Sequence, residues 1–251
     1  MRTIAVIPAR FQSKRLPGKA LKDLHGKTMV ERVYERASQA SRVDRVLVAT
    51  DDERIQDTVT AFGGEVVMTS SEHESGSDRI AEAVQELDVE LIVNVQGDEP
   101  LIDPAAIDAA VGLAQETPSA IVTLQNEISE RKTWLDPNVV KVVSDSRGFA
   151  LYFSRSPIPS TWDDREGRLV QKPFKHIGLY VYPKDVLMKL TRLARSPLEK
   201  AERLEQLRAL ENGIPIRLKS TSYDSMAVDT EADLENVRYF LSENKNANST
   251  V

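Results

Sequence analysis

The chain has no cysteine in 251 residues, which excludes disulfide frameworks, thiolate metal sites and cysteine nucleophiles. It has no excess of positive charge. The 33 Lys and Arg against 39 Asp and Glu leave a net charge of -6, which argues against nucleic-acid binding through bulk charge. No apolar run approaches membrane-spanning length. Met1-Arg2-Thr3 leads at once into a short strand-like run, without the apolar stretch and small-residue cleavage site of a secretory signal. The expectation is a soluble cytoplasmic protein with neither a membrane nor a nucleic acid as partner. No G-x-G-x-x-G or Walker sequence follows any strand, which weakens the NAD-dependent dehydrogenase and ATPase readings. There is no internal repeat and no low-complexity tract.

What is there is an alternation. Ile4 to Ile7 is a strand-like run, and Met29, Val30, Val33, Tyr34 and Ala37 recur at helical spacing. Arg45 to Thr50 is a second strand ending on Asp51-Asp52. A short helix carries Ile55, Val59 and Phe62 and stops at Gly63-Gly64. Val66 to Met68 and Leu91 to Val95 are further strands, with a helix over Asp78 to Leu87 between them. This predicts an α/β fold, Rossmann-like, with a mixed, mostly parallel sheet. From 120 to 185 the strand-like runs Ala120 to Leu124, Val139 to Val143, Ala150 to Phe153 and Ile177 to Tyr182 have few helices between them. Parallel pairing needs long crossovers, so some of these strands are expected to be antiparallel, as a smaller mixed-sheet sub-domain within a single 1–251 domain. Leu198 to Leu210 is expected to be one helix, started by Ser196-Pro197 and stopped by Gly213, followed by a strand over Ile214 to Lys219. Thr230-Glu231-Ala232-Asp233 is a capping-box pattern opening the last helix, and Asn244 to Val251 is expected to be a flexible tail.

In open α/β sheets ligands bind beyond the carboxyl ends of strands, and three charged features fall there. The first is the loop Pro8-Ala9-Arg10-Phe11-Gln12-Ser13-Lys14-Arg15-Leu16-Pro17-Gly18-Lys19-Ala20-Leu21, with four cations, Arg10, Lys14, Arg15 and Lys19. Backbone N–H groups can approach an anion where Gly18 has no side chain, and the cations neutralise it, as a polyphosphate requires. The second is Gln96-Gly97-Asp98-Glu99-Pro100, where Gly97 permits a tight turn and Asp98 sits at a strand tip. The third is Val228-Asp229-Thr230. Thr230 can cap the last helix, so Asp229 is free for other work. Two separated carboxylates beside a cationic loop suit phosphoryl transfer with Mg²⁺, which prefers hard oxygen donors and substrate phosphates.

The chain resembles the 3-deoxy-manno-octulosonate cytidylyltransferase (CMP-Kdo synthetase) family. The resemblance rests on Ile7-Pro8-Ala9-Arg10, Ser13, Arg15-Leu16-Pro17-Gly18-Lys19, His73-Glu74-Ser75-Gly76-Ser77-Asp78-Arg79 and Val93 to Pro100. It continues through Phe153-Ser154-Arg155-Ser156-Pro157-Ile158-Pro159, Lys175-His176-Ile177-Gly178-Leu179-Tyr180, Ser196 to Glu199, Leu204 to Arg208 and Val228-Asp229-Thr230. It implies a nucleotide-diphospho-sugar transferase fold. It implies transfer of CMP from CTP to the anomeric hydroxyl of an eight-carbon ulosonic acid, with Mg²⁺ as cofactor and lipopolysaccharide assembly as destination. It also implies a homodimer, with 120–185 as the contact region.

By position, the resemblance puts Arg10 and Lys19 on the CTP phosphates with Arg15 assisting. It puts Pro8, Ala9, Gly18, Ser75 and Gln96 beside the nucleotide, and makes Asp98 and Asp229 the Mg²⁺ ligands. Lys19, Arg10, Asp98 and Asp229 would carry the catalysis. Gln96, Arg79, Arg155, His176, Tyr180, Glu205 and Gln206 would line the sugar pocket, two arginines suiting a carboxylate and the others hydroxyl groups. On residue type alone the same side chains pass for ordinary ones: Arg79 a surface residue near a helix start, Arg155 a partner of Asp163 or Asp164, His176 and Tyr180 strand packing, Glu205 and Gln206 a solvated helix face. Three departures bear on the choice of sugar: the segment 160–175, Ser75-Gly76-Ser77-Asp78-Arg79 in place of a Ser-Gly-Thr-Glu-Arg pattern, and the residues Phe11, Gln12 and Lys14. Asp163, Asp164 or Glu166 could meet an ammonium if the acceptor were the 8-amino analogue of Kdo. Rival readings are a nucleotidyltransferase for a sugar 1-phosphate or a sialic acid, and a non-catalytic nucleotide-binding regulator.

Overall fold

The computed structural model describes residues 1–13, 15–160, 162–163, 168–169 and 172–248. In chain order the elements are β1 (Thr3–Ala9), α1 (Met29–Ser38), β2 (Arg45–Thr50), α2 (Glu53–Ala61), β3 (Val66–Met68), α3 (Gly76–Val84), β4 (Leu91–Asn94) and α4 (Pro104–Glu116). Then follow β5 (Ile121–Glu127), α5 (Arg131–Leu135), β6 (Lys141–Ser144), β7 (Ala150–Ser154), β8 (Trp162–Asp163), β9 (Arg168–Leu169) and β10 (Phe174–Pro183). The last are α6 (Lys184–Leu190), α7 (Pro197–Glu202), α8 (Gln206–Glu211), β11 (Ile216–Ser220) and α9 (Glu231–Asn248). The class is mixed α/β, as the alternation predicts. Among the described residues no helix is long and apolar enough to cross a membrane.

The chain divides into two units. One, here the β1 unit, comprises Arg2–Val89, Asn94–Ile107 and Ser225–Val251; the other, the β5 unit, comprises Met1, Glu90–Val93 and Asp108–Asp224. In the β1 unit, β1 pairs with β2 and β2 with β3, both in parallel, with Ile4 opposite Arg45 and Ala9 opposite Thr50. Parallel strands need crossovers, and α1 and α2 supply them. Each is capped as its sequence suggests: Thr28 Oγ1 accepts from Glu31 N–H, and the Asp52 carboxylate accepts from Arg54 N–H. Val30, Val33 and Ala37 of α1 are fully buried, as are Ile55 and Val59 of α2. A cluster of Leu16, Leu24, Met29, Val228, Leu234 and Val237 packs the loop after β1 against the start of α9. That apolar contact joins segments more than two hundred residues apart, and it fixes where their charged neighbours lie.

In the β5 unit, β5 pairs antiparallel with β10 and parallel with β11, while β6 pairs antiparallel with both β10 and β7. The register of β10 on β5 shifts between Ile177 and Tyr180, a β-bulge.

One expectation is corrected. Leu198 to Leu210 is not one helix, because the chain turns at Arg203, φ 56°, between α7 and α8. Glu199 and Arg208, both buried, form a two-pronged ion pair at 2.8 and 2.6 Å. On a continuous helix residues nine apart would stand about 13.5 Å apart along the axis and on opposite faces, so the pair requires the break. The last helix, α9, is described through Asn248, and 249–251 lie outside the described residues. α4, α5 and α6 were not foreseen; Asp103-Pro104 is the start signal that marks the first of them.

Candidate active site

The first cluster lies in the β1 unit. Gly18 N–H donates to Phe11 O at 3.1 Å and closes the loop, with Gly18 in the left-handed region at φ 66° where a side chain would be strained. The Phe11 ring is covered by the Arg54 guanidinium, 3.3 Å from the ring centroid. Arg54 is itself held by Asp52 at 2.9 and 2.7 Å. The loop thus turns back and directs Lys19 inward, its side chain 17% exposed.

Lys19 Nζ donates to Asp98 Oδ2 at 2.8 Å and to Asp229 Oδ1 at 3.2 Å, while Arg15 pairs with Asp229 Oδ2 at 2.8 Å. Partial burial pulls the Lys19 pKa down, and the two carboxylates more than offset that, leaving it above the ordinary lysine value. Gly97 lets the strand tip lie close against β1, since a Cβ there would stand 3.0 Å from the Pro8 carbonyl oxygen. Val228 N–H donates to Asp98 O at 2.9 Å, so the strand tip and the entry to α9 are tied by their backbones. Thr230 and Asp233 cap α9 reciprocally: Asp233 accepts from Thr230 N–H at 2.8 Å and Thr230 Oγ1 accepts from Asp233 N–H at 3.2 Å. The Asp229 carboxylate is therefore spared for the cations, as expected.

Among the described residues no group of three or more His, Cys, Asp or Glu side chains could hold a metal ion. Two carboxylates bridged by one ammonium do fit a hard divalent cation whose remaining ligands are water and phosphate oxygens. The same unit holds a cavity of about 640 Å³ lined by Arg10, Phe11, Gln12, Ser13, Pro17, Asp51, Asp52 and Ser71. Its size suits a nucleotide. Ser75 caps α3, accepting from Asp78 N–H at 3.1 Å, and Gly76 would touch Pro8 Cγ at 3.3 Å if it carried a Cβ. Gln96 donates to Asn94 Oδ1 at 2.8 Å. Pro8, Ala9, Arg10, Ser75 and Gln96 are thus all in the unit that carries Lys19. Lys14 lies outside the described residues.

Arg79 is a correction. It is neither a surface residue nor a group open to a sugar carboxylate, being wholly buried, with nitrogens on Thr69 Oγ1 at 2.5 Å and Asp51 Oδ2 at 2.8 Å. It anchors the end of β2 to α3 and so supports the wall to which Asp51 belongs.

Arg155, His176, Tyr180, Glu205 and Gln206 all lie in the β5 unit. On an unbroken strand residues four apart rise about 13 Å. The bulge in β10 shortens this, and the His176 and Tyr180 ring centroids are 5.3 Å apart. Thr123 on β5 staples the bulge. Its hydroxyl donates to Leu179 O at 2.7 Å and so must accept from His176 Nε2–H at 2.9 Å, which leaves Nδ1 as an acceptor. The His176 ring packs edge-on against Phe153 at 5.1 Å. Burial pushes the His176 pKa down to about 3 and the Tyr180 hydroxyl well above the usual tyrosine value, with Tyr182 and Glu205 adding to the latter. Gln206 is buried and Glu205 half-buried, so neither is a plain solvated helix residue. Arg155 pairs with backbone: Nε donates to Glu202 O at 3.1 Å and Nη1 to Pro137 O at 3.2 Å. Asp164 and Glu166, and the side chain of Asp163, lie outside the described residues.

A pH effect follows from His176. The unfolded chain takes up a proton near 6.5, whereas the folded one does so only near 3. Stability therefore falls as pH drops through that window, by at most about 1.4 kcal/mol per pH unit from this group. His176→Asn is expected to flatten the decline between pH 7 and pH 5 in denaturant unfolding; an unchanged slope would show that the imidazole already titrates in the native state.

Sequence reading missed Asp51, Glu202 and Lys141. Lys141 had a signal, a lone lysine inside the apolar run Val139-Val140-Lys141-Val142-Val143. Asp51 and Glu202 had none, since nothing local marks a carboxylate whose partner is distant.

The sequence profile of the cytidylyltransferase family matches residues 4–221. The chain is 52% identical over 247 residues to a 3-deoxy-manno-octulosonate cytidylyltransferase of Geobacter metallireducens, covering 94% of this chain and 96% of that one. It is 53% identical over 247 residues to the protein of the same name from Syntrophotalea carbinolica, covering 96% and 99%. Its structure is similar to that of a CMP:2-keto-3-deoxy-manno-octonic acid synthetase complexed with CTP, with a TM-score of 0.91 and 42% identity over 97% of this chain and 100% of the other.

Proposed function

We propose a reaction from one premise: this chain belongs to the cytidylyltransferase family, in its 3-deoxy-manno-octulosonate branch. The reaction is transfer of CMP from CTP to the anomeric hydroxyl of 3-deoxy-manno-octulosonic acid (Kdo). The sugar oxygen forms a bond to the α-phosphorus, the bond to the β-phosphate bridging oxygen breaks, pyrophosphate leaves and the hydroxyl proton is released. The observation that carries this reading is the meeting of Lys19 with both Asp98 and Asp229, drawn from three distant parts of the chain. A rigid set of charges at one point is what phosphoryl transfer requires, because positioning and charge stabilisation supply most of its catalysis.

In this reading Lys19 and Arg10 neutralise the triphosphate with help from Arg15, and the main chain at Pro8, Ala9 and Gly18 together with Ser75 and Gln96 shapes the nucleotide side. Asp98 and Asp229 would hold Mg²⁺, which supplies Lewis-acid stabilisation of charge on the phosphoryl oxygens when bound. Arg155 would receive the sugar carboxylate, and His176 Nδ1, Tyr180, Glu205 and Gln206 its hydroxyls. His176, neutral at physiological pH, would serve as a hydrogen-bonding group and not as an acid. Arg79 stays out of the ligand set. The presence of both Asp98 and Asp229 speaks against a non-catalytic regulator. The donor, CTP, favours a cytoplasmic setting, and the product suits lipopolysaccharide assembly. Association as a homodimer through 120–185 is part of the same proposal.

The test is a substrate panel, each nucleoside triphosphate crossed with Kdo, its 8-amino analogue, a sialic acid and a sugar 1-phosphate, read by pyrophosphate release. CTP with Kdo is expected to give the highest kcat/KM. A marked preference for the 8-amino sugar would reassign the acceptor. Turnover confined to a sugar 1-phosphate, or none with any pair, would overturn the reaction.

A further inference from the structure

Lys141 is wholly buried in β6, yet its ammonium meets carbonyl oxygens, those of Asp136 at 2.8 Å, Val139 at 2.6 Å and Arg155 at 2.5 Å. An ammonium has three donors, and these three bonds use them all. Burying a charge is costly, so such a site is kept only where the surroundings repay it with well-formed bonds. The second charged group nearby is Glu202, at the end of α7. Its Oε1 accepts from Ser154 Oγ at 2.6 Å and from Tyr152 Oη at 3.4 Å, and its Oε2 accepts from Arg155 N–H at 3.0 Å. Its own carbonyl oxygen accepts from Arg155 Nε at 3.1 Å.

One residue is therefore gripped at every backbone polar group and at the root of its guanidinium. Glu202 takes the N–H of Arg155, Lys141 takes its carbonyl oxygen, and the Glu202 backbone takes Nε. With Nη1 on Pro137 O, the plane of the guanidinium is set, and among the described residues Nη2 is the end left to face a ligand. A guanidinium reads a carboxylate through a rigid fork, so its orientation decides whether two bonds form or one. We propose that Lys141 and Glu202 are positioning residues for the acidic substrate, acting through Arg155: together they aim its guanidinium at the ulosonic-acid carboxylate. This rests on the reading of Arg155 as that carboxylate's partner.

The choice of variants follows from the bonds. Glu202→Gln keeps the shape and can keep an acceptor for Ser154 and Tyr152, but turns an amide NH₂ towards Arg155 N–H. Lys141→Met keeps most of the volume and abandons the Arg155 carbonyl. Steady-state kinetics on the full chain, with Kdo and CTP varied in turn, are expected to show the KM for Kdo raised roughly tenfold or more in each variant, with kcat and the KM for CTP within about threefold of wild type. In an Arg155→Ala background neither change should raise the Kdo KM further, because its target is already gone. A merely structural role would instead add its effect in both backgrounds, and that additivity overturns the proposal. So does an unchanged Kdo KM in Glu202→Gln, the variant that decides the matter if Lys141→Met does not fold. If Arg155→Ala itself leaves the Kdo KM unchanged while pyrophosphate release persists, the failure lies with the placement of Arg155, and the positioning role falls with it.

Discussion

Asp98→Asn and Asp229→Asn are each expected to lower kcat by about a hundredfold or more at saturating Mg²⁺, with the fold retained. The size of the effect comes from what the substitution removes. Asparagine keeps the shape and one oxygen but not the charge, and a divalent cation discriminates strongly between a carboxylate and an amide. Retention of the fold is expected because neither side chain is deeply buried: Asp98 is 27% and Asp229 40% exposed. The backbone bond from Val228 N–H to Asp98 O and the reciprocal cap of α9 by Thr230 and Asp233 do not involve either carboxylate. Thermal melts should stay within a few degrees of wild type while pyrophosphate release collapses. Each variant also frees Lys19 from one anchor, so lost metal binding and lost lysine placement must be told apart. Raising Mg²⁺ over two decades serves for that, since a weakened metal site recovers partly while a displaced lysine does not. Near-normal turnover in either variant would end the shared-metal reading.

How much of this was legible in the sequence depended on how local the cause was. β2 and β3 were found with their bounds because β-branched runs between polar ends are a local signal. The cationic loop, Asp98 and Asp229 were legible because each stands where a strand or a helix must begin or end. Their meeting at one ammonium was not, because it depends on Leu16 and Leu24 packing against Val228, Leu234 and Val237. The break at Arg203 is likewise tertiary, forced by the Glu199 and Arg208 pair in a stretch whose local pattern is helical throughout. Arg79 was misplaced for the same reason: its partner Asp51 stands 28 residues earlier on another element. The β10 bulge leaves no mark except Gly178 between the two shifted positions, yet it is what sets His176 beside Tyr180. Resemblance named these side chains together; only the packing accounts for their company.

Lys19→Ala is expected to lower kcat/KM for CTP by about a hundredfold to a thousandfold while the KM for Kdo moves little. The ammonium is the most enclosed cation of its cluster, 17% exposed against 66% for Arg15, so its charge is the least screened by solvent. Its raised pKa means that it stays fully protonated through neutral and moderately alkaline pH, and the deficit of the variant should be the same at pH 7 and pH 9. The alanine also leaves Asp98 and Asp229 without the cation between them. Only Arg15, on Asp229, then offsets the two carboxylates, so a divalent cation should bind the pair more tightly and the variant should saturate at lower Mg²⁺ than wild type does. Both consequences point to the nucleotide side, because a phosphate oxygen is the group that a freed ammonium would next neutralise. Initial rates with CTP and Kdo varied separately, at two pH values and several Mg²⁺ concentrations, check each part. A rise confined to the Kdo KM would move Lys19 from the triphosphate to the acceptor and require the cationic loop to be reassigned.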